Sequence, residues 1–200
     1  MYHHLPSFLL GFHGCDRAVG ELVLAGKAEL SHSKNSYDWL GNGLYFWEQD
    51  PGRAQQFAIE RAANPRRGAR PISDPFVIGA IIDPGRCLSL LETGSMALLQ
   101  ESYALLLASF SALKAELPKN IDTDGTGDVL LRHLDCAVIE TLHAAIEQDQ
   151  SPPFQTVRGP FLEGPPAFPG AAISSKNHIQ ICVRDYSCIK GYFRPREARN

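Results

Sequence analysis

The sequence has no strong excess of charge of either sign. The 19 Lys and Arg residues against 22 Asp and Glu residues leave a net charge of -3 over 200 residues, and the pI is near 6.1. This balance gives no global attraction to nucleic acid or to an anionic membrane surface. An anionic partner would therefore have to be held by a local patch of the protein.

Cysteine is scarce, and its spacing suggests no shared role. The five cysteines are odd in number and never in a CxxC arrangement: Cys15, Cys87, Cys136, Cys182 and Cys188. This pattern predicts neither a disulfide framework nor a zinc site, and no metal is expected. Reduced thiols fit a cytoplasmic protein.

A basic leader and a long apolar run are also missing. The first residues, MYHHLPSFLLGFHG, contain no basic n-region, and the longest apolar stretches are interrupted by Ser or Gly. These interruptions come before the roughly 18 residues that a membrane helix needs. We therefore predict a cytoplasmic chain with no membrane partner.

What is present is an alternation of short apolar runs with helical patterns. Strands are predicted at SFLLGFHG, GLYFWE and PFVIGAIIDPG, and helices at RAVGELVLAGKA and at DPGRAQQFAIERAA, which opens with Asp-Pro. Near the C-terminus, FQTVRGPFLEG, HIQICVRD and CIKGYF are strand-like, and PPAFPGAAISSKN is predicted to be an exposed loop. The pattern favours one α+β domain over residues 1–200.

The middle of the chain has a helical pattern of its own. A 3-4 spacing predicts one apolar face of a long helix, formed by Met96, Leu99, Tyr103, Leu106, Phe110, Leu113 and Leu117. A second helix is predicted between Leu130 and Ala145, after the link NIDTDGTGD. We expect a helical hairpin inserted at about residues 93–150, with the apolar face packed on the core; a surface for a partner protein is the alternative.

Three segments place polar groups at strand ends or after tight turns. His13 and Gly14 end the first strand, Tyr45 follows the Gly-Asn-Gly turn at 41–43, and Gln180 lies on the polar side of the alternating strand HIQICVRD. The glycines would let a ligand approach the backbone. A tyrosine ring beside such a backbone can stack on a flat heterocycle.

Together these segments resemble the diphtheria-toxin type of ADP-ribosyltransferase, which includes the poly(ADP-ribose) polymerases. The family carries a His, a Tyr and a Glu on three separated strands. GNGLYFWEQDPGRAQQFA is similar to the tyrosine segment, and FHG matches the histidine segment. The resemblance covers both ends of the chain and leaves the helical middle unmatched. It implies a split mixed or antiparallel sheet flanked by helices, with NAD as co-substrate.

Carried over, the resemblance implies that His13 hydrogen-bonds the adenosine ribose of NAD. Gly14 would present its backbone to the nicotinamide carboxamide, and Tyr45 would stack on the nicotinamide ring. Gln180 stands where the family has its catalytic glutamate, and a glutamine can orient a ribose but supplies neither charge nor a base. Either Glu163, in RGPFLEG, supplies the carboxylate, or Gln180 acts by positioning alone.

Further polar contacts are less well defined by the sequence. Ser33 is a candidate from the loop before Tyr45, and Arg158 or Arg184 could pair with the pyrophosphate or could form an internal ion pair. The position eight residues past Tyr45, a serine in the family, is Arg53 here.

The resemblance implies an NAD-dependent mono-ADP-ribosyltransferase that releases nicotinamide and modifies a protein, RNA or DNA. Such an enzyme would suit a bacterial toxin, with an antitoxin as partner, or a defence effector. Two alternatives stay open: an inactive module that binds NAD or ADP-ribose, and an NAD-dependent RNA 2′-phosphotransferase. The arginine-rich residues 65–71 could contact a phosphate-bearing acceptor or be solvated.

Overall fold

The computed structural model describes residues 8–65, 70–123, 125 and 127–196. The chain has an α+β fold built on a mixed seven-stranded sheet. The strands are β1 (Leu9–Asp16), β2 (Leu44–Glu48), β3 (Pro75–Ile82), β4 (Cys87–Ser89), β5 (Asn120–Ile121), β6 (Leu131–Arg132), β7 (Thr156–Phe161), β8 (His178–Val183) and β9 (Ile189–Phe193). The α-helices are α1 (Arg17–Leu24), α2 (Pro51–Ala63), α3 (Thr93–Leu113) and α4 (His133–Gln148).

The large sheet has the strand order β4-β7-β8-β2-β1-β3-β9. Its first pair, β4 and β7, is parallel, and the other neighbouring pairs are antiparallel. The strands near both ends of the sequence therefore meet in the middle of the sheet, where β2 lies between β8 and β1. Each strand and helix predicted from the apolar patterns is present, whereas the short strands β4, β5 and β6 were not predicted.

Neighbouring residues of β2 point to opposite faces of the sheet, and different helices cover the two faces. Phe46 packs in one core cluster with Ile181 of β8 and Val23 of α1. On the opposite face, Trp47 packs on Ala54 of α2. Cys182, which is opposite Tyr45 in the register, belongs to the cluster that contains residues of α4. Helices α2 and α4 therefore pack on the same face.

Helix α2 begins as its Asp-Pro sequence predicts. Pro51 occupies the first helical turn, and the side chain of Asp50 accepts a hydrogen bond from the backbone of Arg53 at 2.8 Å. The helix lies close against β1, because a Cβ at Gly14 would collide with the backbone carbonyl of Ala54. This close approach fixes the position of the side chains that α2 directs across the sheet.

The two long helices α3 and α4 lie between β4 and β7 in the chain and pack on each other. The predicted apolar face of α3 is confirmed in part, because Leu106 is buried and Leu99 packs against a core cluster, while other predicted members are exposed. The residues that the helix buries are Ser95, Ser102 and Leu106, whereas Tyr103 and Leu113 are 40% and 76% exposed. Apolar residues lie around most of α3, so their spacing selected some residues of the packed side together with exposed ones.

Helix α3 is also long and apolar enough to cross a membrane by length and composition. An 18-residue stretch of it has a mean hydropathy of 1.3, and 11% of that stretch is buried in the protein. Our expectation that no stretch would reach this threshold was therefore wrong. One such helix is weak evidence for a membrane span, and the cytoplasmic location stays a prediction.

Strand β8 is covered on both sides, which differs from the polar face expected for it. His178 and Cys182 are 8% and 0% exposed, and Ile181 on the other side is also buried. The loop at 165–177 is irregular and mostly exposed, as predicted, with one isolated bridge between Pro166 and Ser174. Of the arginine-rich segment at 65–71, residues 66–69 lie outside the described residues.

Candidate functional site

A cleft of about 1140 Å³ lies beside the middle of the sheet. Its walls come from the loop before β2, from β2 itself, from α2, and from the segment that leads into α4. Five of the eight predicted site residues line it: His13, Ser33, Tyr45, Glu163 and Gln180. The structure thus brings together residues from segments that are far apart in the sequence.

Three predicted site residues do not line the cleft: Arg158, Gly14 and Arg184. Arg158 is opposite Ile181 in the β7–β8 register, so its side chain emerges on the face away from Tyr45. There it pairs with Glu48 at 2.5 and 2.8 Å. Gly14 faces α2, as described above. The structure therefore provides no support for Arg158 as a pyrophosphate ligand.

The ring of Tyr45 is fixed in the cleft wall by its hydroxyl group. The hydroxyl donates to the carbonyl of Gly41 at 2.8 Å and accepts from the backbone N–H of Leu40 at 2.9 Å. Burial raises the pKa of this phenol well above its ordinary value, so the group stays protonated at neutral pH. The hydroxyl is thus committed to the turn, and the ring is what Tyr45 can offer to a ligand.

His13 lies where β1 and β2 separate. The paired register of these strands ends at Phe12 and Trp47. One residue further along β1, the Nδ1 of His13 is 2.8 Å from the carbonyl oxygen of Tyr45. Burial lowers the pKa of His13, which favours a neutral ring. Since the carbonyl requires a proton on Nδ1, Nε2 of the neutral ring is an acceptor, suited to a ligand hydroxyl.

Gln180 is oriented by Trp39, a residue that was not among the predicted site residues. Its Oε1 accepts a hydrogen bond from Nε1 of Trp39 at 2.7 Å. Trp39 is 8% exposed and packs against Phe161. Because the amide oxygen is held in this way, the amide nitrogen of Gln180 is the group left to donate to a ligand in the cleft.

Glu163 is held by Arg53, which also lines the cleft. Nη2 of Arg53 lies 2.8 Å from each carboxylate oxygen of Glu163. The two side chains are 7% and 12% exposed. This ion pair joins α2 to the segment after β7, and only its acidic member was predicted as a site residue.

The glycines before Tyr45 are required by the fold, and Gly43 also lines the cleft. Gly41 has a φ of +80°, and a Cβ there would collide with Glu140. A Cβ at Gly43 would meet the sulfur of Cys182 and the carbonyl of Val183. These positions require glycine because α4 and β8 lie directly against the turn.

The loop that carries Ser33 is joined to the same turn. Ser33 and Gly43 exchange two backbone hydrogen bonds, at 2.8 and 3.1 Å. The hydroxyl of Ser33 accepts from the side chain of Asn35 at 2.8 Å. Both side chains line the cleft, so this loop forms a hydrogen-bonded rim opposite α2.

Arg184 is engaged elsewhere in the molecule. Its guanidinium pairs with Glu140 at 2.6 Å and also donates to the backbone carbonyl of Asn42. The same carboxylate accepts from the backbone and side chain of Asn42. Arg184 thus connects α4 to the turn before Tyr45 and does not line the cleft.

The arrangement combines an aromatic wall, a neutral imidazole, an oriented amide and a carboxylate in one cleft. These groups can stack on a flat ring, hydrogen-bond the hydroxyls of a sugar and place negative charge beside it. Comparisons of the chain with models of protein families, with curated proteins and with solved structures return no match.

Proposed function

We propose that the protein is an NAD-dependent mono-ADP-ribosyltransferase with an ADP-ribosyltransferase-like fold. The observation that carries this proposal is that His13, Tyr45 and Gln180, the three positions matched to the family's His, Tyr and Glu, line one cleft. Each comes from a different strand of the sheet, β1, β2 or β8. Had they pointed to separate surfaces, the resemblance would have had no common site.

The proposed reaction breaks the bond between the ribose C1′ of NAD and the nicotinamide nitrogen, whose electron pair leaves with nicotinamide. A nucleophilic atom of the acceptor forms the new bond to C1′ and gives its proton to solvent. The ring of Tyr45 would stack on the nicotinamide, and Gln180 would orient the ribose hydroxyls. The carboxylate of Glu163 would stabilise the positive charge that develops on the ribose.

The groups present favour transfer of a single ADP-ribose. Elongation in the family depends on the glutamate that Gln180 replaces, and an amide can neither carry negative charge nor act as a base. Glu163 lies in the same cleft but in an ion pair with Arg53, which reduces the negative charge it offers. Slow transfer to one acceptor fits this site better than chain building.

The test measures nicotinamide release and transfer of adenylate label from NAD to macromolecules in a cell lysate. Wild-type protein is compared with Tyr45→Ala, Glu163→Gln and Gln180→Ala. We expect release by the wild type, loss of release in Tyr45→Ala, and a large decrease in Glu163→Gln if this carboxylate acts on the ribose. Absence of both release and label transfer in the wild type would contradict the proposal.

A second candidate is a binding module that holds NAD or ADP-ribose without reaction. It is favoured because the two polar groups proposed to act on the ribose already have hydrogen-bond partners within the chain. Trp39 donates to Gln180, and Arg53 donates to Glu163. This candidate predicts saturable NAD binding by calorimetry with no nicotinamide release.

A 2′-phosphotransferase receives no comparable support, since Arg158 and Arg184 pair with Glu48 and Glu140 away from the cleft.

A further inference from the structure

We infer that Arg53 is a positioning residue for the proposed reaction, holding the carboxylate of Glu163 at the place where it acts. The inference rests on the proposed function, because it assigns Arg53 an effect on nicotinamide release through Glu163. The resemblance gives no role to an arginine at this position, so the assignment comes from the contacts in the structure.

The position of Arg53 is fixed by the start of α2. Its backbone N–H donates to the Asp50 side chain, and the following residue, Ala54, is 0% exposed and packs with Trp47 in a core cluster. The guanidinium lies over the ring of Trp47, with 5.8 Å between Cζ and the ring centroid. Arg53 is 7% exposed. Because it is held at its backbone and along its side chain, it has little freedom to move away from Glu163.

Glu163 is fixed by its backbone as well as by its side chain. The carbonyl of Glu163 accepts from the N–H of Lys176 at 2.9 Å. The next N–H in the chain, that of Gly164, donates to the Asp128 carboxylate at 2.8 Å. Since the backbone is held on both sides, the ion pair with Arg53 decides where in the cleft the carboxylate lies.

A second carboxylate beside Arg53 limits how the guanidinium can turn. Nη1 of Arg53 is 3.5 Å from Glu60, and Glu60 in turn pairs with Lys176 at 2.8 Å. Charges therefore alternate from Glu163 through Arg53 and Glu60 to Lys176. Glu163 forms the tight, buried end of this series, while Glu60 is 39% exposed.

The geometry of the ion pair leaves the carboxylate able to act. Both oxygens of Glu163 accept from the single Nη2 of Arg53, and each oxygen has a second lone pair. A ribose hydroxyl can therefore bind to Glu163 while Arg53 stays in place. Loss of Arg53 would leave a nearly buried carboxylate without its charged partner, and such a group turns toward solvent or takes up a proton.

The experiment measures steady-state nicotinamide release for the wild type, Arg53→Gln, Arg53→Lys, Glu163→Gln and the double variant Arg53→Gln/Glu163→Gln. We expect Arg53→Gln to lower kcat about 10- to 100-fold, as for a misplaced catalytic group, while KM for NAD changes less than about twofold. The double variant should be no slower than Glu163→Gln, because Arg53 acts through that carboxylate. Arg53→Lys should recover part of the lost rate.

The matched control is Arg158→Gln, which breaks another Arg–Glu pair on the opposite face of the sheet. We expect it to change thermal stability but not kcat. A wild type that releases nicotinamide together with a fully active Arg53→Gln would overturn this inference and leave the proposed function standing. Additive losses in the double variant would also overturn it. A wild type with no release would remove both proposals.

Discussion

At the scale of single residues, the hydroxyl group of Tyr45 connects the strand β2 to the turn before it. The hydroxyl accepts a hydrogen bond from the N–H of Leu40 and donates one to the carbonyl of Gly41. Leu40 is fully buried. Tyr45 therefore supports the fold through its hydroxyl and lines the cleft with its ring. These two roles can be separated by substitution.

We predict that Tyr45→Phe lowers the free energy of unfolding by about 1–3 kcal/mol, because two buried backbone groups lose their partner. Urea denaturation checks this. Tyr103→Phe is the control: this tyrosine is 40% exposed, and its change should stay within about 0.5 kcal/mol. Equal stability of the two variants would show that the Tyr45 hydroxyl contributes nothing to the turn.

His143 on α4 gives the protein a pH-dependent stability. Burial, and secondarily the positive charge of Arg184, lower its pKa from 6.5 to about 4, with the negative charge of Glu140 acting in the opposite direction. As the pH falls below about 6.5, the unfolded chain takes up a proton on this residue and the folded protein does not. Folding stability therefore decreases from about pH 6.5 toward pH 4.

We predict that His143→Gln reduces the loss of unfolding free energy between pH 7 and pH 4.5 by up to about 3 kcal/mol. Urea unfolding of both proteins at the two pH values measures the difference. His13 and His178, whose pKa values burial also lowers, remain in the variant, so part of the pH dependence should persist. The same loss in both proteins would contradict the assignment to His143.

Residue-level reasoning from the sequence could select His13, Tyr45 and Gln180, because each lies at a recognisable strand or turn. It could not select Arg53. Arg53 and Glu163 are 110 positions apart. Nothing in the local pattern of α2 shows which of its side chains pairs with a residue on the segment after β7. For Arg158 the sequence left a pyrophosphate contact and an internal ion pair open. The structure has the ion pair with Glu48, because the β7–β8 register places Arg158 on the face opposite to that of Gln180, and that register is set by tertiary pairing.

At the scale of elements, the position of α2 depends on a single glycine in β1. A Cβ at Gly14 would collide with the backbone of Ala54, which cannot rotate away as a side chain could. Since α2 carries Arg53 and Phe57 to the cleft, a displacement of this helix would move one wall of the site.

We predict that Gly14→Ala lowers the free energy of unfolding by about 1–3 kcal/mol through overpacking. Gly191→Ala on β9 is the matched control, because nothing lies within 4 Å of a Cβ built there. Denaturant unfolding of the two variants makes the comparison. If Gly14→Ala were as stable as Gly191→Ala, α2 would not lie as close to β1 as described.

The helix α3 shows where periodicity alone is insufficient. The 3-4 spacing placed Leu106 on the packed side, but it also placed there Tyr103 and Leu113, which are exposed. Leu105, Leu106 and Leu107 are consecutive and equally apolar, so composition alone does not choose among them. Only Leu106 of the three is buried, at 7% exposure, against 52% and 43% for its neighbours. Tertiary contact with α4 and the sheet makes this choice.

Two alanine substitutions distinguish the sides of α3. We predict that Leu106→Ala costs about 2–5 kcal/mol of unfolding free energy, as for a buried leucine. Leu105→Ala should change it by less than about 0.5 kcal/mol. Thermal and urea denaturation give both values. The reverse order would contradict the burial of Leu106 and place Leu105 on the packed side of the helix.

At the scale of the whole molecule, the cleft exists because β2 lies between β8 and β1 in the sheet. That order brings residues from both ends of the sequence to one place and leaves α3 and α4 to cover the side next to β7 and β8. The α+β class and most elements followed from local patterns. The order of the strands did not, because it depends on pairing between segments with more than 100 residues between them, such as Trp47 and Gln180.

The most direct measurement of the central claim is nicotinamide release from NAD by the wild type and by Tyr45→Ala, under conditions in which circular dichroism shows both proteins to be folded. The proposed function predicts release by the wild type when a cell lysate supplies the acceptor, and none by the variant, which lacks the stacking ring. Release at equal rates by both proteins, or by neither, would contradict it.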